Sequence, residues 1–105
     1  MSEAAEIKLD GATPVKNSGR GKGVHKGDAI LEPFLVDYKE YEKSFGITAD
    51  VWAKVSTDAF HNGKRQPALK LVLGDTKHKT RLWVVGDKMF HEMYEAWKEK
   101  YEVQD

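Results

Sequence analysis

Two aspartates and a lysine, Asp28, Asp37 and Lys39, are the residues of this 105-residue chain whose types and spacing best suit chemistry. If Glu32 and Pro33 form the loop of a hairpin, Leu31 faces Phe34 and, counting back along the ladder, Asp28 faces Asp37. Directly opposed side chains hold their Cβ atoms only ~5 Å apart, where like charges repel. Lys39 lies two residues further on the same face, about 7 Å along the strand. It supplies one positive charge, and a hard divalent cation held between carboxylate oxygens would supply more. A longer loop shifts the pairing by a residue or two but keeps these charges on neighbouring strands. A D-x-K tripeptide by itself is usually a plain surface ion pair, so its context decides.

That context is the segment VKNSGRGKGVHKG, from Val15 to Gly27, which holds Lys16, Arg20, Lys22 and Lys26, no acidic residue, and four of the nine glycines. We expect a mobile basic loop whose cations meet phosphates and whose glycines let backbone N–H groups approach closely. Lys43 and Ser44 follow the acid-lysine strand and are further candidates for such a contact, although a turn opening the next helix accounts for them equally well. From Asp87 to Asp105 the balance reverses, with Glu92, Glu95, Glu99 and Glu102 against three lysines, a solvated acidic surface. His25, His61, His78 and His91 lack the spacing of a zinc site and read as surface or capping residues.

The elements that must position these groups follow from periodicity. Residues 1–14 suit a short helix or an arm, with Gly11 and Pro14 ending regular structure. Asp28 to Leu31 and Phe34 to Tyr41 read as two strands of a hairpin. On the second, Phe34, Val36 and Tyr38 share one face, while Leu35, Asp37 and Lys39 share the other. Thr48 caps a helix with Val51, Trp52, Val55, Ala59 and Phe60 at helical spacing, stopped by Asn62-Gly63. Pro67 to Leu73 and Thr80 to Val85 are strands joined by a polar turn. Asp87 is expected to cap a last helix on which Met89, Phe90, Met93, Tyr94, Trp97 and Tyr101 form an apolar stripe. The order predicts an α/β fold, a small mixed β-sheet with flanking helices.

Composition bounds the rest. At 105 residues, 40% hydrophobic and 32% charged, the chain is one domain able to bury a modest core. With no cysteine there is no disulfide framework, thiolate metal site or cysteine nucleophile. Seventeen basic residues balance seventeen acidic ones, so distribution rather than net charge carries information. No apolar run approaches the roughly 20 residues that span a bilayer, and the opening residues are not a signal-peptide pattern. A cytoplasmic protein without a membrane partner is expected.

In order, SGRGKGVHKGDA, FLVDYKEYEKSF, the helix containing Trp52, and QPALKLVLGD resemble the PD-(D/E)xK nuclease superfamily, and within it the small Holliday junction resolvases of archaea and bacteriophages. The likeness runs from about Val15 to Asp75. It implies a restriction-endonuclease-like core in which Asp28 and Asp37 are the metal-binding acids, Lys39 is the catalytic lysine and the carbonyl of Tyr38 completes the coordination. Ser18 and Arg20 fall in the substrate-contacting loop, so the expected DNA-binding set is Lys16, Ser18, Arg20, Lys22, Lys26 and Lys43. Such enzymes usually add an acid from an N-terminal helix, for which Glu3 and Glu6 are the candidates here, Glu6 being placed in the expected metal set. A proline beside the first aspartate is replaced by Gly27.

The residue types suit that chemistry. Two carboxylates can hold one or two Mg²⁺ ions, with Mn²⁺ able to substitute, that lower the pKa of bound water and polarise a phosphoryl oxygen. Lys39 can hold or help deprotonate the water and stabilise growing charge. The expected function is a metal-dependent, structure-selective DNA endonuclease acting as a homodimer on branched DNA, most of all four-way junctions. The alternatives are a nicking or repair nuclease of the same superfamily and a catalytically idle DNA-binding accessory protein. If phage-encoded, it would work in the host cytoplasm.

Overall fold

The computed structural model describes residues 3–15 and 28–102, which build a five-stranded mixed sheet and three helices. The elements are α1 (Glu3–Asp10), β1 (Thr13–Pro14), β2 (Asp28–Leu31), β3 (Phe34–Tyr41), α2 (Ala49–His61), β4 (Gln66–Gly74), β5 (Lys79–Val85) and α3 (Asp87–Tyr101). The strands lie side by side in chain order, all neighbours antiparallel except β3 and β4. A parallel pair needs a crossover, and α2 is it. The hairpin between β2 and β3 closes on Glu32-Pro33, a cis peptide bond, with Leu31 opposite Phe34 and Asp28 opposite Asp37. β1 was not expected. Pro14, read from sequence as a terminator, pairs with Ala29 on the sheet edge, where a missing N–H costs least.

The middle of the sheet is covered on both faces, so β3 and β4 read as apolar runs rather than alternations, while β5 at the edge leaves Leu82 and Trp83 exposed. Ile7 of α1 packs with Ala29, Val36, Tyr38 and Ala68 on one face. Val55 of α2 packs with Leu69 and Leu71 on the other, flanked by Phe45, Val51, Trp52, Leu73 and Val84. Thr48 caps α2 as expected, its hydroxyl accepting from the Val51 N–H at 3.1 Å. The expected cap at Asp87 does not form. Gly86 is the N-cap of α3 and makes no side-chain cap bond, while Asp87 begins the helix and pairs with His91 at 3.4 Å. Nor does α3 cover the sheet: none of its residues is buried, and Phe90, Met93, Trp97 and Tyr101 are about half exposed. Among the described residues no helix is long and apolar enough to cross a membrane.

α1 is held by charge as well as by Ile7. Lys70, in the middle of the apolar β4, is 4% exposed. Its ammonium group lies 3.2 Å from Glu6 and donates to both Asp10 oxygens at 2.9 and 3.0 Å. Arg81 meets Glu6 through two bonds of 3.0 and 2.9 Å, and the Tyr38 hydroxyl donates to Asp10 at 2.9 Å. Glu6 is fully buried, and the Arg81 guanidinium holds its carboxyl below the usual range. A lowered carboxylate pKa stabilises the fold above its ordinary value and ceases to as pH falls through the folded one. Removing one partner strands the other buried charges. Lys70→Ala is therefore expected to cost about 3 kcal/mol in urea unfolding near neutral pH, whereas Lys77→Ala on the exposed turn should change stability by less than about 0.5 kcal/mol. An unchanged midpoint for Lys70→Ala would mean that this cluster does not hold α1.

Candidate functional site

The acid pair is placed by the β2–β3 register and made close by the alternation of β3. Glu40 turns its N–H away from β4 to the Glu3 carboxylate, at 3.3 Å. Backbone groups two residues apart point the same way along a strand, and adjacent ones oppositely. Asp37 therefore directs its backbone bonds toward β4, which makes Asp28 and Asp37 a non-hydrogen-bonded antiparallel pair, the type that brings side chains nearest. By the same alternation the Tyr38 carbonyl points toward the Asp28 side of the strand, while the Tyr38 side chain lies on the α1 face.

Burial and repulsion act together on the pair. Burial first, then the neighbouring Asp37, push the Asp28 carboxyl from 3.8 up to about 7. Burial also raises Asp37, with Lys39 opposing it. The Lys39 ammonium group is 3.6 Å from Asp37 Oδ1, close enough for attraction and too far for a hydrogen bond. Among the described residues, Asp37 Oδ1 is a buried oxygen with no hydrogen-bond partner. A buried carboxylate oxygen without a hydrogen bond is costly, and Lys39 offsets part of that cost through charge alone. Lys39 is steadied by Phe45, whose ring centre lies 5.9 Å from its Nζ and which stacks on Tyr41 at 5.0 Å.

These groups form one side of a cleft of about 640 Å³ between β3 and α2. Asp28, Asp37 and Lys39 come together in it, as expected from sequence. Glu6 does not. It lies on the other face of the sheet, its carboxylate taken by Lys70 and Arg81, and is no ligand for this site. The acid that α1 brings to the acid-lysine strand is Glu3, whose pKa is raised by burial and which feels both Lys39 and Asp37. Lys43 is exposed beyond the end of β3. Lys16, Ser18, Arg20, Lys22 and Lys26 lie outside the described residues. Sequence reading missed the α2 wall of the cleft, Lys54, Asp58, His61 and Asn62. Its signal was present: these residues recur at four- and three-residue spacing beside the apolar stripe of the same helix.

No family model, curated protein or solved structure matches this chain. Among the described residues no three acidic or histidine side chains converge into a preformed metal cage. The two opposed carboxylates, with one buried oxygen unpartnered, do fit a hard cation that prefers oxygen.

The raised pKa of Asp28 has a definite sign. A carboxyl whose folded pKa lies above its unfolded value destabilises the fold once ionised: nothing is lost below 3.8, and the full penalty is felt above about 7. Without divalent cations, Asp28→Asn should stabilise the protein by on the order of 2 kcal/mol at about pH 8 and by almost nothing near pH 4. Thermal melts of both proteins across that range test this, and equal melting curves at pH 8 would show that the pair carries no such penalty.

Proposed function

We propose that the protein is a divalent-metal-dependent endonuclease of the PD-(D/E)xK kind that cuts branched DNA, most of all four-way junctions. The observation that carries this reading is the register that sets Asp28 against Asp37, with Lys39 two residues on, in one cleft. Support for a restriction-endonuclease-like core comes from the order of elements around it: a short helix, a hairpin bearing the acids, a helical crossover, and a strand parallel to the acid-lysine strand.

In this reading Asp28 and Asp37 hold Mg²⁺, with the Tyr38 carbonyl on the same side of β3 and Glu3 at its edge. The ion, when bound, supplies a water of lowered pKa and polarisation of the phosphoryl oxygen. Lys39 Nζ orients the attacking water by hydrogen bonding and stabilises the negative charge that grows on the phosphate. Asp37 keeps that ammonium group beside the acid pair, and Phe45 packs along it. Lys16, Arg20, Lys22 and Lys26, expected from the sequence to meet phosphates, are in this reading the contacts to the DNA backbone. These contacts fix position without reading sequence.

Cleavage of labelled four-way junction, fork, flap and linear duplex in Mg²⁺ and in EDTA tests the reading. Wild-type protein should cut the junction only with Mg²⁺. Asp28→Asn, Asp37→Asn and Lys39→Ala should each lower the rate by at least about a thousandfold, while the two Asn variants still bind junction. Any of the three cutting at the wild-type rate would sink the site assignment.

Resolving a junction takes two symmetric incisions, and one chain carries one acid-lysine site, so the working unit in this reading is a two-fold dimer. The exposed Phe90, Met93, Trp97 and Tyr101 of α3 support that arrangement as its interface. Mixed dimers of wild-type and Asp37→Asn chains should convert a supercoiled cruciform plasmid to nicked circles with almost no linear product. A monomer on DNA that still linearises the plasmid would rule the dimer out.

A further inference from the structure

The cleft has a second wall, on α2, that the proposed mechanism leaves unused. Lys54 and Asp58 stand there, one helical turn apart, facing Asp28, Asp37 and Lys39 across a floor of Leu35, Val51 and Val55. The Lys54 ammonium group donates to Asp58 Oδ2 at 2.9 Å, yet the Lys54 side chain is 78% exposed. Such an exposed pair is weak and readily exchanged for a better acceptor. The Asp58 hydrogen bond is the main reason Lys54 holds its proton more firmly, and Asp28 and Asp37 across the cleft add to it. Three carboxylates face two ammonium groups in this space, and the ammonium groups stand on opposite walls.

The size and lining of the cleft suit a nucleotide. A cleft of about 640 Å³ falls within the range that takes a small organic ligand. Its apolar floor suits the carbon face of a deoxyribose, with a phosphate at either rim. One phosphate meets Lys39 and the acid pair. The other needs a cation on the α2 side, and Lys54 is the lysine among the residues lining that wall.

We propose that Lys54 binds the backbone phosphate next to the one cut, and that Asp58 holds its ammonium group in the free protein and yields it when the DNA strand enters. This rests on the nuclease reading and names the part of the substrate that the second wall takes: a deoxyribose with a phosphate on each side.

The probe is thymidine 3′,5′-bisphosphate, with thymidine 5′-monophosphate for comparison, titrated calorimetrically in Mg²⁺. Wild-type protein should bind the bisphosphate more tightly. Lys54→Ala, at an exposed position that tolerates truncation, should lose about tenfold of that affinity, as expected for a charge-assisted phosphate contact, and leave the monophosphate unaffected. Lys54→Arg should retain binding. Asp58→Asn should tighten the bisphosphate about threefold, since phosphate no longer displaces a competing carboxylate. Equal affinity of wild type and Lys54→Ala for the bisphosphate, an equal loss on both probes, or weaker binding by Asp58→Asn would overturn the proposal. Its failure is distinct from failure of the nuclease reading. Junction cleavage by wild type with Lys54 silent in binding refutes the subsite alone, whereas Lys54-dependent binding without cleavage of any DNA refutes the nuclease and leaves Lys54 a phosphate contact with no cut phosphate beside it.

Discussion

Everything in this protein hangs on the two-sided burial of β3. The strand is paired along both edges and covered on both faces, so the identity of each residue fixes which helix it meets. Even-numbered residues from Val36 to Tyr38 go to α1, and odd-numbered residues from Leu35 to Lys39 go to the α2 side. A one-residue slip would send Asp37 into the aliphatic packing around Ile7 and bring Tyr38 to the cleft. Parallel pairing with β4 is part of the same constraint, because the crossover it demands is the helix that closes the cleft.

Two groups of charges lie within a few residues of each other on opposite faces of the sheet, and their difference in completeness separates scaffold from site. Glu6, Asp10, Lys70, Arg81 and Tyr38 satisfy one another: two carboxylates, two cations and a hydroxyl, each bonded. Asp28, Asp37 and Lys39 do not, since two carboxyl groups meet in a half-buried ladder and one buried oxygen has Lys39 nearby but no hydrogen bond. A protein gains nothing in stability from the second arrangement. In the proposed reading, what it gains is a place for an added positive charge.

The hairpin, its register and the acid-lysine set were legible from sequence because each depends on residues close along the chain. Leu31 to Phe34 closes the turn, and counting does the rest. The cap at Thr48 is local in the same sense. Choosing between Glu3 and Glu6 was not possible by counting, because it depends on how α1 lies across the sheet. That pose is set by Lys70, a cation inside an apolar run sixty residues from its partner Asp10. The polar wall of α2 was passed over for a related reason: an i, i+4 pair looks the same on a solvated face as on a cleft. For α3 the apolar stripe was plain in the sequence, but a stripe says that something is to be covered and not by what.

That exposed stripe bears on how the protein opens. A helix of 15 residues without tertiary burial is close to the length at which isolated helices are marginal in water. α3 is thus a separate cooperative unit of low local stability, attached at Gly86, where the Trp52 ring approaches the chain. A surface that covered Phe90, Met93 and Trp97 would hold α3 against fraying, and part of the binding free energy would go into that order.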